Sequence, residues 1–234
     1  MQSTSVFRPT SVFGHVVVLA LALLVPAIGS AAEHFRTLYL VRHGAYEPNP
    51  KANPDLGPSL APLGIAQARL IAARLEGMPV HFDSITSSTM ARARETAAVI
   101  HESLANVPLD SSPLLSECTP PTSRPLPGET DAELTACANR LDTVFAKRFS
   151  PPTDADRNEV LVCHGNVIRY LVMKALHQDT KDWLAMTVAH ASLTIIRVRA
   201  DGSMTVLGVG DVGHIPPNMV SWGTQADPQL VTPK

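Results

Sequence analysis

Two short stretches, residues 38–41 and 160–163, are continuously apolar, and each runs into a His-Gly pair at 43–44 and 164–165. Leu- and Val-rich runs of that length read as strands buried on both faces at the centre of a sheet. Residues 82–86 and 109–115 read as further extended pieces, and 193–198 with 204–209 as a hairpin turning at Asp201-Gly202. Apolar residues at helical spacing predict helices between them. One covers 62–74, with Pro62 in its first turn and Leu63, Ala66, Leu70 and Ala73 inward. A second covers 90–102, capped by Thr89, with Ala93, Ala97 and Ile100 on one face. A third begins at Thr130 or Asp131 and runs to 148, and a fourth covers 166–176. Residues 47–60 and 118–128 are rich in proline and other turn-forming residues and read as loops. Strands alternating with helices predict an α/β fold, a three-layer α/β/α sandwich around a mainly parallel sheet.

The first 32 residues have a different character. Arg8 and His15 precede an apolar run at 16–25, then Pro26, then Ser30-Ala31-Ala32. That order predicts a cleaved signal peptide over 1–32, export to the periplasm or outside the cell, and no membrane attachment afterwards. The alternative is an uncleaved N-terminal anchor, although the apolar run is shorter than the ~20 residues of a spanning helix. Residues 33–234 are then one domain with a proline-rich C-terminal tail. The formal net charge is -2, which argues against a nucleic-acid partner. Three cysteines, Cys118, Cys137 and Cys163, leave an odd thiol. Cys163 ends an apolar strand and reads as core, while Cys118 and Cys137 are either bridged or free.

In open α/β sheets ligands bind beyond the carboxyl ends of the strands. Arg42 and His43 lie at one such end, and His164 at another, with a helix beginning directly after it. Arg92 falls in the first turn of the helix that follows Ser87-Ser88. Helix N-termini attract anions, and a planar guanidinium grips phosphate oxygens in pairs. Arg42, Arg92 and His164 around His43 therefore predict a cage for a phosphoryl dianion, with His43 as nucleophile. An alkoxide leaving group needs a proton, and Glu117, after Leu114-Leu115 and before a proline-rich loop, is the best carboxyl for it. No His-Glu-x-x-His pattern or acidic cluster suggests a metal, and no cofactor is expected.

Three segments together resemble the histidine phosphatase superfamily, the phosphoglycerate-mutase-like fold: Arg42-His43-Gly44, residues 87–96 with Arg92, and Cys163-His164-Gly165-Asn166-Val167. More narrowly, residues 85–96, 162–175 and 210–217 are similar to the mitochondrial phosphoglycerate-mutase-like Ser/Thr protein phosphatases. The resemblance implies that Arg42, His43, Arg92 and His164 form the phosphate pocket and that His43 becomes phosphohistidine. It also implies that Glu117, in a Leu-Leu-x-Glu segment, is the proton donor, and it puts His190 in a segment that borders the pocket, as either a rim residue or a structural one. The implied activity is a metal-independent phosphomonoesterase acting on a phosphorylated small molecule or a phosphoprotein. A phosphoglycerate-type mutase and a non-catalytic phosphoprotein-binding domain are the alternatives. The short segment between Glu117 and Val160 favours hydrolysis, because it lacks the long insertions that close mutase sites. The chain departs from the pattern at Ala45, Ile65 and Ala66. It also lacks the Trp-Asp-x-Asn-Trp-Asp assembly motif of the mitochondrial enzymes, which leaves the oligomeric state open.

Overall fold

A computed structural model describes residues 1–2, 33–124 and 126–223, so the expected signal peptide or anchor lies almost wholly outside the described residues. From Glu33 onward the described residues form one compact unit. Its elements are β1 (Phe35–Arg42), α1 (Pro62–Glu76), β2 (Ser84–Ser88), α2 (Ala91–Ser103), β3 (Leu109–Ser112), α3 (Asp131–Arg148), β4 (Arg157–Cys163), α4 (Gly165–Ala175), β5 (Leu193–Arg199) and β6 (Met204–Asp211). Short 3-10 turns cover Pro113–Leu115, Thr180–Ala185 and Pro217–Met219.

The strands form one sheet in the order β3-β2-β4-β1-β5-β6. β1 to β4 are mutually parallel, and β5 and β6 run antiparallel at one edge. Alternation along β1 shows the three layers directly, since successive side chains of a strand face opposite ways. Leu38 and Leu40 pack with Leu141, Ile168 and Leu171 of α3 and α4. Tyr39 and Val41 pack with Ile71, Leu75, Ala93, Ala97 and Ile100 of α1 and α2. Both faces of the central strand are thereby dry, which is why its sequence shows no polar alternation.

Helix starts follow their local chemistry. Thr130 caps α3 in a reciprocal pair with Glu133, as a Thr-x-x-Glu sequence favours. Thr89 does not cap α2. The N-cap is Met90, and the Thr89 hydroxyl instead meets Ser116 Oγ at 3.1 Å. The expected inward face of α1 is also rotated. Leu63 is 37% exposed, while Gly64, Gln67, Ala68, Ile71, Ala72 and Leu75 are buried. The cause is a backbone-to-backbone approach at the helix start, where a Cβ on Gly64 would stand 2.0 Å from the Ala45 carbonyl oxygen. Only a residue without a side chain fits there, and it turns the helix so that Gln67 follows it inward.

Candidate active site

Register sets the site. Arg42 is opposite Cys163 in the parallel β1–β4 pair, and His43 N donates to Cys163 O at 3.0 Å. His43 and His164, each one residue past its strand, therefore emerge side by side, with ring centroids 5.0 Å apart. On the other flank β5 is antiparallel to β1, so its beginning lies at the same sheet edge as the end of β1. Ala191 N bridges the carbonyls of Arg42 and His43, and His190 lands with its ring 5.4 Å from that of His43. Ala191 carries φ 52, a left-handed conformation that costs a non-glycine residue on the order of 1–3 kcal/mol and is held by these bonds.

The His43 ring is 1% exposed. Its Nδ1 is 2.8 Å from Gly44 O, which can only accept, so Nδ1 carries the proton. Nε2 is then the lone-pair nitrogen, and Arg92 donates its Nε–H to it at 3.1 Å. Burial, followed by the charges of His164, Arg42, Arg92 and His190, holds His43 well below the usual imidazole range. The nitrogen facing the site is thus neutral and unprotonated, with its lone pair available.

Arg92 comes from the first turn of α2 and is 5% exposed. Its guanidinium lies 4.8 Å from the centre of the Tyr46 ring, and Tyr46 meets the His43 ring at 5.5 Å. Thr96, one turn along α2, accepts from Gly44 N at 3.0 Å and donates to Arg92 O at 2.7 Å, tying the helix to the His43 turn. Gln67 accepts from Ala45 N at 2.9 Å and donates to Met219 O and Ser221 Oγ. Arg42 donates to Val188 O at 2.6 Å, and burial lowers it to about 10.

His164 Nε2 lies 2.8 Å from Ser88 Oγ, while its Nδ1 is buried without a partner. His190 Nδ1 meets Ser221 Oγ at 2.9 Å, and its Nε2 is likewise unpartnered. The Nε of Arg42 is a third such atom. Buried polar atoms are normally paired, so three open ones around a single imidazole describe a polar pocket shaped for an acceptor-rich group. Burial pushes His164 well down and His190 down to about 3, with Arg42 and Arg92 adding to both.

Glu117 enters from the turn after Pro113–Leu115 and is half-buried. Its charge reaches Arg42, Arg92, Arg140 and Arg169, and its N–H donates to Met90 Sδ at 3.4 Å. Burial pushes its carboxyl up, although the arginines pull the other way. All six expected residues, Arg42, His43, Arg92, Glu117, His164 and His190, thus meet at one sheet edge. Tyr46, Gln67, Ser88 and Arg169 also serve the site and were not singled out from sequence. Tyr46 had a signal, two positions past the Arg-His-Gly triplet; the others acquire their partners only through tertiary contact. Among the described residues no group of three or more His, Cys, Asp or Glu side chains is arranged to hold a metal ion. Cys118 and Cys137 are bridged, and Cys163 is a buried free thiol.

Comparison with known proteins agrees with this geometry. Residues 38–121 and 118–211 match the histidine phosphatase superfamily (branch 1). The mitochondrial serine/threonine-protein phosphatase Pgam5 of Caenorhabditis elegans is 38% identical over 201 residues, covering 80% of this chain and 66% of that one. The human mitochondrial serine/threonine-protein phosphatase PGAM5 is 30% identical over 205 residues, covering 83% and 70%. The chain spans about two thirds of the length of such relatives. Among solved structures, a Plasmodium falciparum phosphoglycerate mutase superposes with a TM-score of 0.56 at 25% identity, over 78% of this chain and 95% of that one. A putative alpha-ribazole-5'-P phosphatase from Escherichia coli gives 0.60 at 20% identity, over 75% and 96%, and shares the fold.

One expectation is corrected here. Export to the periplasm or the exterior, and the signal peptide that implied it, conflict with relatives whose names place them in mitochondria. A short apolar run behind a basic residue, free of acidic residues, is a pattern that leaders to different compartments share in part, so it does not assign one. Among the described residues no helix is long and apolar enough to cross a membrane. With the strand-end histidines, the cationic pocket and the matched profile in agreement, this chain belongs to the histidine phosphatase superfamily.

Proposed function

We propose that this protein hydrolyses phosphomonoesters through a phosphohistidine at His43, and that phosphoserine or phosphothreonine protein is its substrate. The observation that carries the reading is the state of His43: Nδ1–H fixed on Gly44 O, and a neutral Nε2 facing a pocket of open cationic and imidazole donors. The substrate class rests on the relatives named serine/threonine-protein phosphatases.

The incoming dianion takes the guanidiniums of Arg42 and Arg92 and the open ring nitrogens of His164 and His190. For a neutral imidazole to donate there, His164 Nδ1 carries its hydrogen while Nε2 accepts from the Ser88 hydroxyl. Arg92 then leaves Nε2 for a phosphoryl oxygen, which frees the lone pair. Nε2 attacks phosphorus as the ester P–O bond breaks, and protonated Glu117 gives its proton to the departing alkoxide. In the second half, ionised Glu117 takes a proton from water as its oxygen attacks phosphorus. The P–N bond breaks, inorganic phosphate leaves, and Glu117 is protonated again. The chain supplies positioning and charge stabilisation throughout, which phosphoryl transfer chiefly requires.

Brief mixing with radiolabelled phosphoprotein and an acid-free quench should trap an acid-labile, base-stable phosphoenzyme. His43→Ala should abolish it together with turnover. Full activity in His43→Ala, or an acid-stable adduct, rejects the reading.

A further inference from the structure

The turn that carries Glu117 has no regular helix or strand over residues 116–124, yet the two carbonyls that flank Glu117 are both held by side chains. Arg140 of α3 donates Nη2 to Ser116 O at 2.6 Å. Asn166, in the first turn of α4, donates Nδ2 to Cys118 O at 3.1 Å. The carbonyls before and after Glu117 are thus gripped by two different helices. Asn166 is itself aimed by Arg169, which donates Nη2 to Asn166 Oδ1 at 2.6 Å and stacks on Trp183 at 4.5 Å. Cys118, the next residue after Glu117, is joined by its disulfide to Cys137, three residues before Arg140 on the same helix. The Cys118 N–H also meets Glu117 Oε1 at 3.3 Å, so the bridged residue touches the carboxyl.

We propose that the Cys118–Cys137 disulfide is a positioning link for the proton donor, acting with Arg140 and Asn166, so that thiol reduction selectively slows phosphoryl transfer to His43 from esters whose leaving group must be protonated. The inference rests on Glu117 being the donor. The two carbonyl clamps fix the plane of the turn, and the disulfide fixes how far it stands from α3. Proton transfer depends on heavy-atom separations near hydrogen-bond distance, and a misplacement of about 1 Å can cost on the order of 100-fold. Reduction by a dithiol proceeds by two thiol–disulfide exchanges. The dithiol's sulfurs supply both electrons and become its own disulfide. The Cys118–Cys137 S–S bond breaks, and two protons end on the released thiols. Cys163 is fully buried and takes no part in the exchange.

The test compares two substrates on the full chain. An aryl phosphate with a good leaving group needs little acid assistance, whereas phosphoserine in a peptide needs it fully. Oxidised protein, dithiothreitol-treated protein, the Cys118→Ser/Cys137→Ser double variant and Arg140→Met are assayed on both. We expect the single-turnover rate of phosphoenzyme formation at His43 to fall roughly 10- to 100-fold with the phosphopeptide while with the aryl ester it changes by less than about two-fold. Arg140→Lys should restore part of the phosphopeptide rate, and re-oxidation should restore all of it. Equal losses on both substrates, or none on either, overturn the proposal. The dithiothreitol arm decides the matter if the double variant fails to fold. Glu117→Gln is run alongside. If it shows no preference for the aryl ester, the donor assignment itself has failed, and the linkage falls with it for a separately visible reason.

Discussion

His43 and Glu117 are tuned in opposite directions by the same burial, and the consequence is legible in a pH profile. Desolvation favours the neutral form of each, which lowers the imidazole and raises the carboxyl. The free enzyme therefore keeps the His43 imidazole unprotonated at pH values where an ordinary histidine, near 6.5, is charged. It also keeps the Glu117 carboxyl protonated above the ordinary glutamate value of 4.5. For a phosphoserine peptide, kcat/KM should hold or rise as pH falls from about 7 to about 5.5, and its alkaline limb should vanish in Glu117→Gln. A profile that collapses below about 6.5 on the enzyme side would mean that His43 titrates normally. Arg92→Ala should cost roughly 100- to 1,000-fold in kcat, because it removes a donor to the phosphoryl charge. Single-turnover rates check this against wild type.

At the scale of elements, α1 and the turn after β1 are fitted backbone to backbone. A Cβ on Gly44 would stand 2.4 Å from Gly64 O, so both glycines are needed for close approach. Gly64→Ala should destabilise the fold by about 1–3 kcal/mol, as overpacking does, and lower kcat by displacing Ala45 and His43. Denaturant titration and steady-state kinetics measure the two effects. The Cys118–Cys137 link spans a sequence separation of 19. On loop entropy alone its loss should cost about 3 kcal/mol, read as a lower thermal midpoint after reduction. The contrast between these elements also explains what could be read in advance. Leu38–Val41 and Val160–Cys163 announce buried strands because their pattern is local, and Arg42, His43 and His164 follow them at fixed offsets. The face of α1 was not readable, since Leu63 and Ala73 fit helical periodicity as well as Gln67 does. A contact from Gly64 to Ala45 decided between them. Arg140 and Asn166 were silent for the same reason: their partners, the Ser116 and Cys118 carbonyls, are far along the chain.

Across the whole molecule, the change from parallel to antiparallel pairing beside β1 is what completes the pocket. Parallel β4 delivers His164 at its end, and antiparallel β5 delivers His190 at its beginning, so both arrive at one edge. That concentration of buried neutral imidazoles has a cost in stability. His190 stands at about 3 in the folded chain, against an ordinary 6.5 once unfolded. Below that upper value the unfolded chain takes up the proton and the folded one does not, so stability falls as pH drops. His190 alone should cost about 2 kcal/mol at pH 5, and His43 and His164 act in the same direction. Chemical denaturation across about pH 5 to 8 should show the loss, and His190→Gln should lessen it. Inorganic phosphate should offset it, because an anion in the pocket favours protonated imidazoles.

In the resting enzyme, Arg92 keeps its hand over Nε2 of His43. Idleness here is a masked state: the reactive nitrogen is covered by the same cation that a doubly charged guest will draw away. A neutral electrophile, such as a phosphotriester or an alkyl halide, has nothing with which to lift that cover. The demand for charge is thus imposed before any bond is made, and the protein's most vulnerable atom is exposed only to visitors that carry their own key.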